Sequence, residues 1–472
     1  MRFKRMLLIT NVHPDIPKIS SHGLLGAQLA ASLITANTPY RCQVLGVDPG
    51  ANMDRLEKSI FAYFGNEQPV VGFSNLGGRE ELFILAERIR NGGGVTILGG
   101  PQAKVDFSGE IGWQRFPHRF HGWRNAFSLA VQGPGEQLFP ILNRNSFEPQ
   151  HLPGIVWHQN NKIISSPPNS WQEKFLQFVD WSNLNVFCDD DIQPVNIIQA
   201  QVVGAIGCPW ARRLKTTFLD YPANLSDTYS HAKIRLSLRG CSFCDVAQDK
   251  GFIGRLSVQT VMHQLKQLPE YDGKKIPFEL IDENPLPGLP RLLVAVQDEK
   301  LRVQRIDLVT RADWLVKNLE KIHDALELAQ KMDVQIRLAS IGFESFSPRI
   351  LKQFNKGITL ETNLAAIRFM RETKIRFPKH FAYSRREGCH HGFIHPTPWD
   401  TPEDWQAIQA VIQHHGLEKD ILPAHSLPLI IHHASPLGIW MRAIEYNARF
   451  AYPRQNSWIA WWDEPQPKVH IF

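Results

Sequence analysis

Short β-branched runs alternate with helical apolar patterns along this chain, and the alternation starts twice. That rhythm constrains the fold more than any other feature. In residues 1–145, Arg5–Val12, Cys42–Val47, Pro69–Ser74, Val95–Leu98 and Phe127–Val131 read as strands, and Gly23–Thr35 and Arg79–Arg90 as helices. From Val195 the rhythm restarts. Val195–Gly207, Ile234–Leu238, Phe278–Glu283, Arg305–Arg311, Val334–Glu344 and Gly392–Pro396 read as strands. Val258–Leu268, Leu315–Met332, Leu360–Thr373 and Thr401–His415 read as helices. Such βαβ repetition implies parallel sheets whose ligands sit beyond the strands' C-terminal ends. The expected fold class is α/β. A doubly wound, flavodoxin-like parallel sheet spans 1–145, a linker 146–194, a partial (β/α)6 barrel 195–415, and a small C-terminal subdomain 416–472. The last part carries Trp440, Trp458, Trp461 and Trp462, which serve either plain packing or a substrate pocket.

The chain's 472 residues suffice for two or three cores. Its net charge of +6 is spread among interspersed acids and bases, so charge alone does not argue for nucleic acid. No apolar run reaches the ~18 residues a membrane span needs. The opening run to Thr10 is short for a leader and reads as a first buried strand. Six cysteines, at 42, 188, 208, 241, 244 and 389, are too sparse for a disulfide scaffold and suit a reducing cytoplasm. Cys42 and Cys188 read as buried apolar residues or inert surface thiols. The pairs His390-His391, His414-His415 and His432-His433 chelate poorly, because adjacent residues diverge, although His391 or His395 could line a site.

Chemistry concentrates at strand ends. Cys241-Ser242-Phe243-Cys244 follows a strand-like run, and two thiols three positions apart can grip one metal centre. Glycine-rich turns close three strands of the first half: Gly72–Gly78 with Ser74 and Leu76, then Gly99-Gly100, then Val131–Glu136 with Gly133 and Glu136. Bare backbone lets a large ligand approach closely, and Ser74 offers a hydroxyl.

The second half resembles the radical S-adenosylmethionine (SAM) enzymes. Their CxxxCxxC motif places an aromatic before the last cysteine, where Phe243 stands, and its three thiolates hold a 4Fe–4S cluster. Further segments match in order over about 235–410. Leu280–Asn284 is similar to the strand end near the SAM amine, which implies Glu283. Val309–Trp314 is similar to the end near the ribose and carboxylate, which implies Arg311. Ser340–Ser345 with Leu351–Gly357 resembles the family's "GxES…L…NKG", which implies Glu344. Gly392–Asp404 resembles the adenine-reading segment, which implies Phe393. Each has a plain alternative: Glu283 an exposed strand-end acid, Arg311 a barrel salt bridge, Glu344 a cap for the helix near Pro348. The position four before Cys241 is Ser237, so the third thiolate falls to Cys208 in Gly207-Cys-Pro-Trp210. Residues 209–240 then form an insertion that folds back, with Ile234–Gly240 beside the first barrel strand. The competing readings are Cys389 as third ligand, a labile cluster on two thiolates plus Ser237, half of a zinc site, or core cysteines.

The first half resembles a cobalamin-binding domain through Ser74, Leu76, Gly99, Gly100, Gly133 and Glu136. The family's DxHxxG motif is absent: His22 has Gly26 four positions on and no Asp two before, which puts a protein-derived lower cobalt ligand in doubt. Sheet then barrel is the layout of cobalamin-binding radical SAM enzymes. The resemblance implies a C-methyltransferase that methylates an unactivated carbon of a small molecule or peptide, through a 5′-deoxyadenosyl radical and methylcobalamin. It implies a one-electron donor such as ferredoxin or flavodoxin. The alternatives are ring formation or rearrangement without methyl transfer, a cluster-less cobalamin-binding protein, and a flavodoxin-like sheet joined to a zinc-bearing barrel.

Overall fold

The computed structural model describes residues 3–13, 19–74, 79–144, 147, 152–160, 162–229, 232–245, 252–422, 426–455, 458–464 and 466–467. In chain order, β1 (Lys4–Asn11) is followed by the short β2 (Ser20–His22), β3 (Tyr40–Val47), β4 (Val70–Ser74), β5 (Val95–Gly99), β6 (Leu129–Val131), β7 (Ile155–Gln159), β8 (Lys162–Ser165), β9 (Leu184–Cys188) and β10 (Asp191–Pro194). All except β2 form one mixed sheet of nine strands, in the order β10-β9-β3-β1-β4-β5-β6-β7-β8. Its parallel centre, β3-β1-β4-β5-β6, has the doubly wound 2-1-3-4-5 order. β1 is buried on both faces: Leu7 and Ile9 join the core on one side, Met6 and Leu8 that on the other. A strand covered twice reads as a continuous apolar run, and "MLLI" does.

The segment 146–194, expected as a linker, supplies strands instead. β7 and β8 extend the sheet antiparallel beyond β6; β9 joins β3 in parallel; β10 closes that edge antiparallel. These strands are four or five residues long, and β8 and β10 are only half-buried. Runs that brief carry little periodicity.

The second sheet is parallel and curls into a half-barrel. β11 (Asn196–Val203) begins it. β12 (Ala205–Gly207) then pairs with β15 (Phe252–Arg255), and between them β13 (Leu214–Asp220) and β14 (Lys233–Arg239) form a ribbon. A small hairpin, β16 (Glu270–Tyr271) and β17 (Lys274–Lys275), leads to β18 (Phe278–Ile281), β19 (Arg305–Arg311), β20 (Gln335–Glu344), β21 (Phe381–Ala382) and β22 (Gly392–Phe393). The sheet order is β2-β11-β18-β19-β20-β21, with β22 also on β20. β2 comes from the loop after β1 yet lies beside β11, so the first half contributes a strand to the second sheet. Leu280, Leu308 and Leu338 are buried in the helix-facing core. The alternate positions fill the lumen with polar pairs: Gln201 to Glu279 at 3.2 Å, Gln199 to Asp307 at 2.9 Å, and Arg337 to Asp307 at 2.8 Å.

The ribbon corrects one expectation. β14 pairs antiparallel with β13 and does not run beside β11. Leu214–Asp220 offers a partner within the same insertion, and a local hairpin closes a shorter loop than pairing with β11 would. Leu236 and Leu238 on its inner face pack with Trp440 and Ile444 of the helix Pro436–Ala448.

That helix belongs to the C-terminal part, which is fastened to the first sheet's loops by buried charge. Glu110 accepts from Arg442 Nη1 at 3.1 Å and from Arg454 Nε at 2.9 Å, and Arg454 Nη1 also donates to Glu445 at 2.6 Å. Burial pushes the Glu110 carboxyl up, but Arg454 and its neighbours hold it far below the usual carboxylate range. The aromatic residues here mostly pack. Trp440 is fully buried and donates to Asp220 O at 3.1 Å; Trp461 donates to Leu429 O at 2.6 Å. Among the described residues, no helix is long and apolar enough to cross a membrane.

Candidate active site at the strand ends

Two cysteine arms meet over the C-terminal ends of the half-barrel. The first leaves β12 through Gly207, whose φ of 80° suits glycine, and places Cys208 before a short turn, Pro209–Arg212. The second leaves β14 through Gly240, at φ 71°, into the Cys241–Cys244 turn. Ser242 is wholly buried and fixes that turn: its Oγ donates to Gln353 O at 2.8 Å and its N–H to Phe354 O at 2.9 Å. Phe243 packs edge-on against Phe354, with ring centres 5.1 Å apart.

One segment, Asn355-Lys356-Gly357, holds both arms. Asn355 Nδ2 donates to Gly240 O at 2.7 Å, and Asn355 O accepts from the Trp210 indole at 3.0 Å. Trp210 lies against Gly357, where a Cβ would come within 2.5 Å of the ring. Its faces are flanked by Lys215 Nζ, 3.8 Å from the ring centre, and Arg311 Cζ, at 4.7 Å. Lys356, almost completely buried, pairs with Glu344 Oε1 at 2.7 Å. Glu344 sits at the end of β20 in the left-handed region, φ 60°, with its carboxylate over Gly342 and Gly392. A Cβ on Gly342 would approach Glu344 Oε1 and Lys356 Nζ to 2.7 Å, so bare backbone makes the room the pair occupies.

The charges converge. Arg311 Nη1 lies 3.6 Å from Cys241 Sγ. Burial raises the Cys241 thiol, with Lys356 and Arg311 pulling it back. Burial, then Glu283 and Cys241, push the Cys208 thiol up to about 11. Both thiols are therefore protonated at neutral pH and within electrostatic reach of one another, and Cys241 is also within reach of two cations. Glu283 is accessible to solvent, yet desolvation by the surrounding protein raises its carboxyl, with Lys356 pulling it back. Lys356 is pulled down by burial and pushed up further by Glu344, so it stays a cation.

The expected site residues fare differently. Cys208, Cys241, Glu283, Arg311 and Glu344 are drawn to one mouth, and Cys244 follows three residues on in the same turn. Arg311 does not offer a ligand an open fork. Its Nε donates to Asp313 at 2.9 Å, Nη1 reaches Cys241, and Nη2 donates to Lys356 O. It is the barrel salt bridge, not a bidentate carboxylate clamp. Glu344 caps no helix: Ser347 caps the helix at Pro348, its hydroxyl accepting from Ile350 N–H. Phe393 stacks on Phe346 at 5.5 Å. Ser237 is exposed on the ribbon, and Cys389 faces Arg337 and Asp307 in the lumen, so neither stands beside Cys241. Cys42 and Cys188 are buried, the first of their two expected readings. His391 does not line the site; it is buried between Ile341 N and Tyr383 O. His395 bonds Asp400 at 2.9 Å and stacks on Trp405. Among the described residues, no three His, Cys, Asp or Glu side chains converge as the ligands of a single ion would. A four-iron cube takes one thiolate per corner, so its ligands stand further apart than those of one ion.

A second feature lies in the first sheet. A cavity of about 340 Å³ runs between the helix Leu25–Asn37 and the face of β1, β4, β5 and β6. Ser74, Gly99, Gly100, Gly133 and Glu136 line it; Leu76 lies outside the described residues. Met6, Leu8, Ile97 and Leu138 make its wall apolar. A Cβ on Gly26 or Gly135 would meet nothing within 4 Å, so glycine keeps space open there. Burial raises the Glu136 carboxyl at the rim.

The two features adjoin. Gln102, which follows Gly99-Gly100-Pro101, donates to Asp245 Oδ2 at 3.0 Å and contacts His432 Nδ1 at 2.7 Å. Asp245 directly follows Cys244. Sequence reasoning missed Gln102, Trp210, Asn355 and Lys356. The quoted "NKG" segment contained two of them, but nothing in a linear motif says what a lysine pairs with. No model of a known protein family matches the chain, and no curated protein matches its sequence.

Proposed function

We propose that this chain is a cobalamin-binding radical SAM enzyme that methylates an unactivated carbon of a small molecule or peptide. The observation that carries this reading is the Gln102–Asp245 hydrogen bond, which joins the glycine rim of the first sheet to the cysteine turn of the half-barrel. Chemistry that needs two cofactors in register needs two sites in contact.

The residues suit the groups in kind. The cavity lies within the ~300–1,000 Å³ range of small-molecule pockets and takes a flat heteroaromatic tail between helix and sheet. Ser74, Gly99, Gly100 and Gly133 would hold the corrin at this rim, where Gly99 and Gly100 leave the backbone bare apart from the Ser74 hydroxyl. Cys208, Cys241 and Cys244 are soft sulfur donors for an iron–sulfur cluster. Arg311 and Lys356 compensate the negative charge those thiolates would carry once their protons leave. Glu283, two residues beyond β18, would accept an ammonium group. When bound, these cofactors supply a carbon-centred radical and a methyl group. The chain's own work is to hold Cys208 and Cys241 together through Asn355, to keep the Glu344–Lys356 pair rigid, and to exclude water behind the half-barrel.

Anaerobic reconstitution with iron, sulfide and cobalamin tests the reading. A chain that takes up both iron and cobalt, and turns over methylcobalamin with SAM and a reductant, supports it. A chain that takes up neither, or a Cys208→Ala variant that keeps a full cluster, removes the cysteine assignment.

A further inference from the structure

The ribbon β13–β14 has a face that the fold leaves uncovered. Residues 209–220 and 232–240 contain Arg212, Arg213, Lys215, Lys233, Arg235 and Arg239, and one acid, Asp220. Arg212, Arg213, Lys215 and Arg235 are exposed, while Lys233 pairs with Asp220 at the far end. The ribbon is amphipathic in the opposite sense from a solvated edge. Its inner face buries Leu219, Ile234, Leu236 and Leu238. Its outer face presents Leu214, 62% exposed, and Phe218, 53% exposed. In the register, Phe218 stands opposite Arg235, and Leu214 opposite Arg239. Large apolar side chains interleaved with arginine, with the ribbon's single acid paired to Lys233, mark a protein-docking surface.

We propose that this face docks an acidic protein, of the class of one-electron carriers. Charge complementarity selects the occupant: a surface with bases in excess of its one acid steers and registers a partner of opposite sign. Position adds to this. Both strands of the ribbon run into cysteines at the Leu214–Arg239 end, Cys208 before β13 and Cys241 after β14, so a partner over that end stands next to the thiols. The carrier role rests on the function proposed above, in which the reduced carrier gives up one electron and the centre held by the cysteines takes it. The docking itself does not depend on that centre.

The test uses the full chain without cofactors and an acidic flavodoxin as probe, with duplex DNA and phosphatidylserine-containing vesicles as rival ligands. Binding is read by fluorescence anisotropy over a salt series. Wild type binds flavodoxin in preference to the rivals, and affinity falls as salt rises. Arg213→Glu with Arg235→Glu weakens it by about tenfold or more. Phe218→Ser, which keeps the charge, weakens it as well. Lys331→Glu, on a distant helix, leaves it unchanged, and thermal melts confirm that each variant folds. No binding by wild type, equal binding by the Arg213/Arg235 variant, or tighter binding of DNA or vesicles overturns the proposal. If flavodoxin docks but no iron is taken up, the docking surface stands and the proposed chemistry falls.

Discussion

Gln102 Nε2 donates to Asp245 Oδ2 at 3.0 Å, across the seam between the nine-stranded sheet and the half-barrel. Gln102 is 9% exposed, and the same amide nitrogen meets His432. Replacing it strands partly buried polar partners. Gln102→Ala should lose about 1–3 kcal/mol of unfolding free energy, read by urea titration. A variant as stable as wild type would mean that water serves those groups equally well.

The Glu344–Lys356 pair makes a larger claim. Lys356→Met leaves a buried carboxylate without its cation and should cost about 3–5 kcal/mol. Removing both charges, as Glu344→Leu with Lys356→Met, should recover much of that loss. A double variant no better than the single would show that the cost is packing, not charge.

His391 predicts an acid limb. Its Nδ1 accepts from Ile341 N–H at 3.0 Å and its Nε2–H donates to Tyr383 O at 2.7 Å, so the buried ring is neutral. Burial holds it at about 4 against an ordinary 6.5. Below 6.5 the unfolded chain binds the proton and the folded chain does not. Stability should therefore fall as pH drops from 6.5 towards 4, by about 3 kcal/mol in all, and level off below. His391→Gln should remove this slope from a series of denaturant titrations; an unchanged slope would assign it to other groups.

Cys208 should alkylate slowly. Its thiol is raised from 9.0 to about 11. The thiolate fraction near neutrality then drops about a hundredfold relative to an unperturbed cysteine. Iodoacetamide labelling at about pH 8, followed by mass spectrometry against a cysteine peptide, measures this. Labelling at the peptide's rate would remove the crowded, anionic surroundings assigned to Cys208.

Gly26 separates cavity from fold. A Cβ there meets nothing within 4 Å, and the position lies in the helix Leu25–Asn37. Gly26→Leu should keep or slightly raise the melting temperature, since glycine costs a helix roughly 0.5–1 kcal/mol. It should also abolish cobalamin binding in a visible-absorbance titration by filling the cavity. Binding that survives would put the ligand elsewhere.

The sequence by itself determined the alternating elements and the strand ends where chemistry gathers. The run Arg305–Arg311 is a strand as read, and the rim residues Ser74, Gly99, Gly100, Gly133 and Glu136 meet at one cavity. Both follow from local causes: period, β-branching, and glycine where backbone must turn or stay bare. Only the tertiary structure decided that β14 pairs with β13, that β2 crosses to the second sheet, and that β7 to β10 widen the first. It also decided that Lys356 answers Glu344 and that Arg311 is spent on Asp313 and Cys241. Periodicity tells a strand which face to bury but not which neighbour to take. Likewise, a charged residue's partner depends on what folding brings within reach, not on its place in the chain.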